Sequence, residues 1–238
     1  PSAGREFKWD RYPLKKVIKP KGILVVGGGP AGLEAARVSA ERGHIVTLVE
    51  ANDYLGGQFK LAGMQPQRKQ IIDFLNWYLN QLLKLNVEIK LNTFIDVNFI
   101  KKFSADATII ATGSYPNNSL FQKAIPHVEK LPGIDLGNVF SAEEIMVSSA
   151  NLGKKILILD EGGNWKGCGT AWKLAEDGYD VTLITPDSHV GKELQRTAAD
   201  YPLRQKLSKL GVRFIVESAI TKWKKGEAEI VSLLDGKS

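Results

Sequence analysis

The feature that most constrains this chain is a glycine-rich turn set between an apolar run and a helical pattern. Ile23–Val26 (ILVV) reads as a buried parallel strand. GGGPAG follows at once, and then an amphipathic pattern from Leu33 to Arg42, closed by Gly43 in the usual place after a helix. His44–Glu50 (HIVTLVE) is a second strand. Strand, tight turn, helix and strand make the front of a βαβ unit.

The same order recurs. Lys155–Asp160 (KILILD) is a strand, Gly162–Gly167 a glycine-rich turn, Ala171–Asp177 a helix ended by Gly178, and Val181–Thr185 a strand. Aligning Gly43-His44 with Gly178-Tyr179 gives an offset of 135 residues with no gap back to the first strand. Gly27 then falls on Gly162, Gly28 on Gly163, Gly32 on Gly167 and Ala36 on Ala171, whereas Gly29 falls on Asn164 and Glu50 on Thr185. Between the repeats, residues 67–85 carry apolar side chains at helical spacing, with Trp77 and Tyr78 read as core or rim. Residues 87–91 and 107–111 read as strands, and 113–139 as a loop-rich stretch that includes Pro116, Asn117 and Asn118. A helix over 194–210, a strand at 213–216 and a last apolar run at 230–234 complete the chain. The expected fold is α/β, two Rossmann-like dinucleotide-binding units with parallel sheets, the second inserted in the first. The expected divisions are a leader at 1–21, a first domain at 22–150 and a second at 151–238.

The first turn carries specific chemistry. In Gly27-x-Gly29-x-x-Gly32, the first glycine permits the tight turn, the second lets backbone approach a pyrophosphate, and the third lets helix pack on strand. With Pro30 and Ala31 these residues would hold the diphosphate through the main chain, against unpaired N–H groups at a helix N-terminus. Glu50 closes the second strand 18 residues after Gly32, where a carboxylate accepts ribose hydroxyls and repels a 2′-phosphate. That favours FAD or NAD over NADP at this site. In the second unit, Asn164 and Trp165 narrow the turn and Thr185 brings no carboxylate, so a degenerate, structural fold is expected there, with NAD(P) binding and hydride delivery from NADH as the alternative.

Composition narrows the class. Of 238 residues, 43% are apolar and 24% charged, as in soluble globular chains. No run is long and apolar enough for a membrane span, and residues 1–20 lack a signal-peptide core. Residues 1–21 hold five of the net charge of +6, so the basic excess is a leader rather than a nucleic-acid-binding face. Cys168 is the only cysteine, which excludes an internal disulfide and a multi-cysteine metal site and makes a reducing cytoplasm the default. It is read as a packing residue. The three histidines are scattered, and no catalytic pair is legible.

Taken together, GGGPAG, Glu50, Gly56-Gly57-Gln58 and Ala111-Thr112-Gly113 resemble the two-dinucleotide-fold flavoproteins. More closely, the chain is similar to the C-terminal half of the trimethylamine dehydrogenase, histamine dehydrogenase and 2,4-dienoyl-CoA reductase group, of the old yellow enzyme type. Pro1–Glu6 resembles the stretch after that group's last iron–sulfur cysteine, and Leu157–Gly162 its altered second nucleotide fold. The resemblance implies FAD, or in some members ADP, at the first unit. It places Ala51 and Ile95 beside the adenine, and Gln58, Ala111, Thr112 and Gly113 beside the phosphates or flavin. It implies that FMN, an iron–sulfur cluster and the substrate chemistry belong to a barrel domain in a longer parent chain, with an electron-transfer protein as possible acceptor. The chain is therefore expected to be a fragment with little turnover of its own. The competing reading is a non-catalytic ADP-binding scaffold or electron-acceptor docking domain.

Overall fold

The computed structural model describes residues 14–115, 119–147 and 150–237. Most of the basic leader, including Pro1–Glu6, and Pro116–Asn118 of the loop-rich stretch lie outside the described residues. The chain divides into two compact units, and each is described by itself.

The first unit comprises residues up to Ser114 apart from 64–68. Its elements are β1 (Gly22–Val26), α1 (Pro30–Glu41), β2 (Ile45–Val49), α2 (Gly57–Gly63), α3 (Gln70–Lys84), β3 (Glu88–Lys90), α4 (Val97–Phe103) and β4 (Ala107–Ile110). The strands form one parallel sheet in the order β3-β2-β1-β4. Strand side chains alternate between faces, and both faces of β1 are covered. Ile23 and Val25 pack with Leu33 and Ala36 of α1 and with Tyr78 and Leu82 of α3. Leu24 and Val26 pack on the other side, with Ile100 and Phe103 of α4 against them. That is why ILVV is an unbroken apolar run rather than an alternating one. Tyr78 is core, whereas Trp77 stays 43% exposed at the rim, its ring stacked on Phe74.

The strand order reverses at β1, with β2 on one side and β4 on the other. In open α/β sheets, ligands lie at such a switch point, beyond the carboxyl ends of the strands. The turn Gly27–Gly29 leaves β1 at that end, and Ala111–Gly113 leaves β4 beside it.

The second unit holds Met64–Arg68 and the residues from Tyr115 onward. It contains α5 (Ala142–Met146), β5 (Lys155–Leu159), α6 (Trp165–Glu176), β6 (Asp180–Ile184), α7 (Asp200–Lys209), β7 (Arg213–Ile215), β8 (Ser218–Lys224) and β9 (Glu227–Ser232). β5, β6 and β7 form a parallel sheet, and β8 and β9 an antiparallel hairpin. In this division the stretch from Tyr115 onward groups with the second unit. The reason lies in what the stretch beyond 115 packs on. Leu131 joins a core with Ile184 and Ile220, and the Pro132 carbonyl accepts from the Trp223 N–H.

Two elements differ from expectation. The hairpin replaces a single apolar run at 230–234, its turn made at Lys225-Gly226 with Gly226 at φ +91°. The helix expected over 194–210 begins only at Asp200. Gly191 and Ala198 are both left-handed and bracket a 3₁₀ turn over Lys192–Thr197. Among the described residues, no helix is long and apolar enough to cross a membrane.

One buried side chain ties the loop to the hairpin. Gln122, 1% exposed, donates from Nε2 to the Ile220 carbonyl at 2.7 Å and accepts the Ile220 N–H at 2.9 Å. Truncation leaves both halves of a buried peptide unpaired. Gln122→Ala is expected to cost about 2–4 kcal/mol of stability in urea unfolding. A loss below about 0.5 kcal/mol would mean that the hairpin does not depend on this contact.

Candidate nucleotide-binding site

The geometry gives the three fingerprint glycines three different reasons. Gly27 has φ +106°, and a Cβ there would lie 2.3 Å from the Ala111 carbonyl oxygen. A Cβ on Gly32 would lie 1.8 Å from the Gly27 carbonyl oxygen, so α1 can sit this close to the turn only without a side chain. Gly29 is different. Its φ of −73° and ψ of 179° suit any residue, and a Cβ there would meet nothing within 4 Å. Nothing in the fold itself requires glycine at position 29. The open space above it is the size constraint that a closely approaching ligand would impose.

α1 begins at this turn with Pro30 in its first position and no side-chain cap. The first N–H groups of a helix have no intrahelical partner, and with the helix dipole they favour an anion. Pro30 and Ala31 are exposed, and Gly32 is buried beneath them.

Glu50 follows β2 and is 7% exposed. Its Oε2 accepts the Gly28 N–H at 2.6 Å. Its Oε1 accepts the N–H and the side-chain amide of Asn52, both at 2.8 Å. Three of roughly four acceptor positions are therefore filled. The carboxylate is held in one orientation at the mouth of the turn with acceptor capacity left for a hydroxyl. Gly28 and Asn52 were not singled out in the sequence. No local pattern marks a residue whose task is to aim another.

Other named residues gather at the same end of the sheet. The Gly56 N–H donates to the Gly28 carbonyl at 2.8 Å, and Gly57 packs beside Gly29. Gln58 opens α2 and donates its side-chain amide to the Ser114 carbonyl, bridging the GGQ stretch to the segment after β4. The Ala111 N–H donates to the Val26 carbonyl at 2.8 Å, and Thr112 and Gly113 are exposed beyond it. Ala51 is exposed next to Glu50. Ile95 is only half-buried, its inner side against Leu24, Val26 and Val49. The Thr93 N–H bonded to the Glu50 carbonyl keeps that segment at the same edge. Arg37 is engaged by Glu34 and Glu41, and its hydrogen bonds hold the Glu34 carboxyl below the usual carboxylate range. Lys60 lies over the Tyr54 ring, 3.8 Å from its centre.

The second unit is not a copy of the first in the same register. Lys155 pairs with Asp180 as Gly22 pairs with Ile45, and Leu159 with Ile184 as Val26 with Val49. The Asp160 N–H bonds to the Ile184 carbonyl as the Gly27 N–H bonds to the Val49 carbonyl. Asp160, not Gly162, therefore stands at the position of Gly27. The turn before α6 spans Asp160–Asn164, where that before α1 spans only Gly27–Gly29. The gapless alignment aligned the helices correctly and misplaced the strand by two residues.

Cys168 is buried in α6, and its thiol lies 3.5 Å from Asp160 Oδ2. Burial, aided by that carboxylate, pushes the thiol up. It is a packing residue rather than an activated thiol.

The sequence model of the family described as "Pyridine nucleotide-disulphide oxidoreductase" matches residues 21–238. The chain belongs to the pyridine nucleotide-disulphide oxidoreductase family. It is similar to the cinnamate reductase of Clostridium sporogenes, 40% identical over 184 residues, which is 77% of this chain and 25% of that protein. Among solved structures it is similar to a 2-naphthoyl-CoA reductase, with a TM-score of 0.85 and 31% identity over 97% of this chain and 33% of that one. The histamine dehydrogenase of Rhizobium sp. 4-9 superposes with a TM-score of 0.83 and 27% identity over 94% of this chain and 34% of that one. The chain thus spans a quarter to a third of the length of these relatives. The resemblance read from the motifs, to the trimethylamine dehydrogenase and old yellow enzyme type of flavin-dependent oxidoreductase, holds.

Proposed function

We propose that the first unit binds the adenine half of FAD, or ADP in its place, as the nucleotide-binding part of a flavin-dependent oxidoreductase. One observation carries the reading: open space over Gly29 at the uncapped start of α1, with a buried carboxylate beside it. The diphosphate would rest on the main chain of Gly29–Gly32. The ribose would bond to Glu50, whose charge disfavours a 2′-phosphate. Ala51 and Ile95 would flank the adenine, and Gln58 and Ala111–Gly113 the phosphates or flavin. Bound flavin supplies hydride and electron transfer. The residues of this chain bind and orient it. The reaction of the whole protein, with FMN, an iron–sulfur cluster and a barrel domain, would belong to the rest of the polypeptide, and an electron-transfer protein would be the partner.

Colour tests the choice of nucleotide. A yellow preparation that releases FAD on denaturation supports the flavin reading. A colourless one that releases ADP supports the scaffold. A preparation that neither carries nor takes up adenine nucleotide would refute both.

Glu50→Ala is expected to weaken adenine-nucleotide binding roughly 10- to 100-fold in calorimetric titration. It also leaves the buried Gly28 N–H without its acceptor. A parallel stability loss of about 1–3 kcal/mol is therefore expected. Unchanged affinity would remove Glu50 from the site.

A further inference from the structure

The turn of the second unit has the form of a phosphate cradle that the chain fills from within. Asp160 stands where the first unit has Gly27, and it is 3% exposed. Its Oδ1 accepts the N–H groups of Gly162 and Gly163, at 3.2 and 3.1 Å. These are the kind of main-chain donors that an anion at such a turn would take. The start of α6 is treated the same way. Asn164 caps it with its own side chain, accepting the Lys166 N–H at 2.9 Å, whereas α1 has no cap.

The approach is closed as well. Asn164, the counterpart of Gly29 at the start of the helix, brings a side chain where Gly29 leaves open space; before it stands Gly163, covered as its own counterpart Gly28 is. A Cβ on Gly163 would lie 2.9 Å from Asp187 Oδ2 and 3.4 Å from the main-chain nitrogens of Lys192 and Glu193. The Gly163 carbonyl accepts the Glu193 N–H at 3.0 Å. Thr185, at the position of Glu50, is fully buried and accepts the Asp187 N–H, so no carboxylate is offered to a ribose. Gly167 keeps the fingerprint glycine for another purpose. A Cβ there would lie 2.5 Å from Asp160 Cγ, so its lack of a side chain makes room for the carboxylate.

We infer that Asp160 is a built-in anion that occupies the second phosphate cradle and closes this unit to pyridine dinucleotides. The residues present do not fit the NAD(P) that the family implies. A diphosphate would have to displace a buried carboxylate from its donors and would meet a second one, Asp187, at the mouth. Electrons would then reach the protein by a route other than nicotinamide bound at this turn.

The test uses the full polypeptide with its first site saturated by adenine nucleotide, and follows hydrogen exchange in the peptide spanning 160–168. With NADH, NADPH or inorganic pyrophosphate at about 5 mM, the unsubstituted protein is expected to show no added protection there. Asp160→Gly is expected to gain protection by pyrophosphate, with binding at least about tenfold tighter than that limit. Saturable NADH binding with protection of 160–168 in the unsubstituted protein overturns the inference. So does a folded Asp160→Gly protein that still ignores pyrophosphate. Should that variant not fold, Asp160→Ala decides, since it removes the carboxyl group from the Gly162 and Gly163 N–H groups while keeping a side chain at that position. Protection by pyrophosphate must then rise above the unsubstituted level, and an unchanged level overturns the inference.

Discussion

Gly29→Val is expected to leave the first unit folded and to abolish the adenine-nucleotide binding proposed for it. The backbone there is extended at φ −73°, ψ 179°, which a β-branched residue adopts without strain. A Cβ meets no atom within 4 Å, so no packing is disturbed. The expected change in unfolding free energy is within about 0.5–1 kcal/mol. The isopropyl group would instead stand where the diphosphate must approach the main chain. Affinity for ADP or FAD is expected to fall at least about 100-fold. Calorimetry and thermal unfolding on one preparation read the two effects separately. A folded variant that binds as before would mean that no phosphate passes over Gly29.

Gly32→Ala does the opposite. It touches the fold first and the ligand only as a consequence. Its methyl group would sit 1.8 Å from the Gly27 carbonyl oxygen, a main-chain atom fixed by the β1–β2 pairing. Overpacking a flexible core typically costs about 1–3 kcal/mol, and a backbone neighbour cannot turn aside as a side chain can. The expected loss is at least about 3 kcal/mol, a large share of the roughly 5–15 kcal/mol that holds a domain together. Thermal unfolding and protease susceptibility should both show it. An unfolding midpoint within about 3 °C of the unsubstituted protein would mean that α1 can draw back from the turn without cost.

These two glycines show what the sequence could disclose. Their spacing, the apolar run before them and the acid at the end of β2 placed a strand, turn, helix and strand correctly, because each signal is local. The parallel sheet followed from runs such as ILVV, whose alternate residues serve opposite faces. The same local signals misled at the second turn. Matching Gly162 and Gly163 to Gly27 and Gly28 hid the longer turn, since strand register is set by pairing across the sheet and not by glycine spacing. The place of Gln122 and Leu131 in the second unit was illegible for the same reason: their partner, Ile220, lies 98 and 89 residues away. The hairpin was half seen. The apolar run of β9 registers on its own, but in β8 only Ser218, Ala219 and Ile220 are buried, two of them apolar, before the strand turns polar. At the candidate site, the place of Glu50 at the end of β2 could be read from the sequence, whereas the Gly28 and Asn52 bonds that hold its carboxylate could not.

In the proposed complex the main chain from Gly28 to Leu33 receives a diphosphate whose sugar meets Glu50. Amide NMR spectra of the protein titrated with ADP address it residue by residue. Saturable shifts are expected at Gly28–Leu33 and at Glu50–Asn52, with the Asp160–Cys168 amides unmoved. Shifts that leave Gly28–Leu33 untouched, or that fall at Asp160–Cys168 instead, would contradict it.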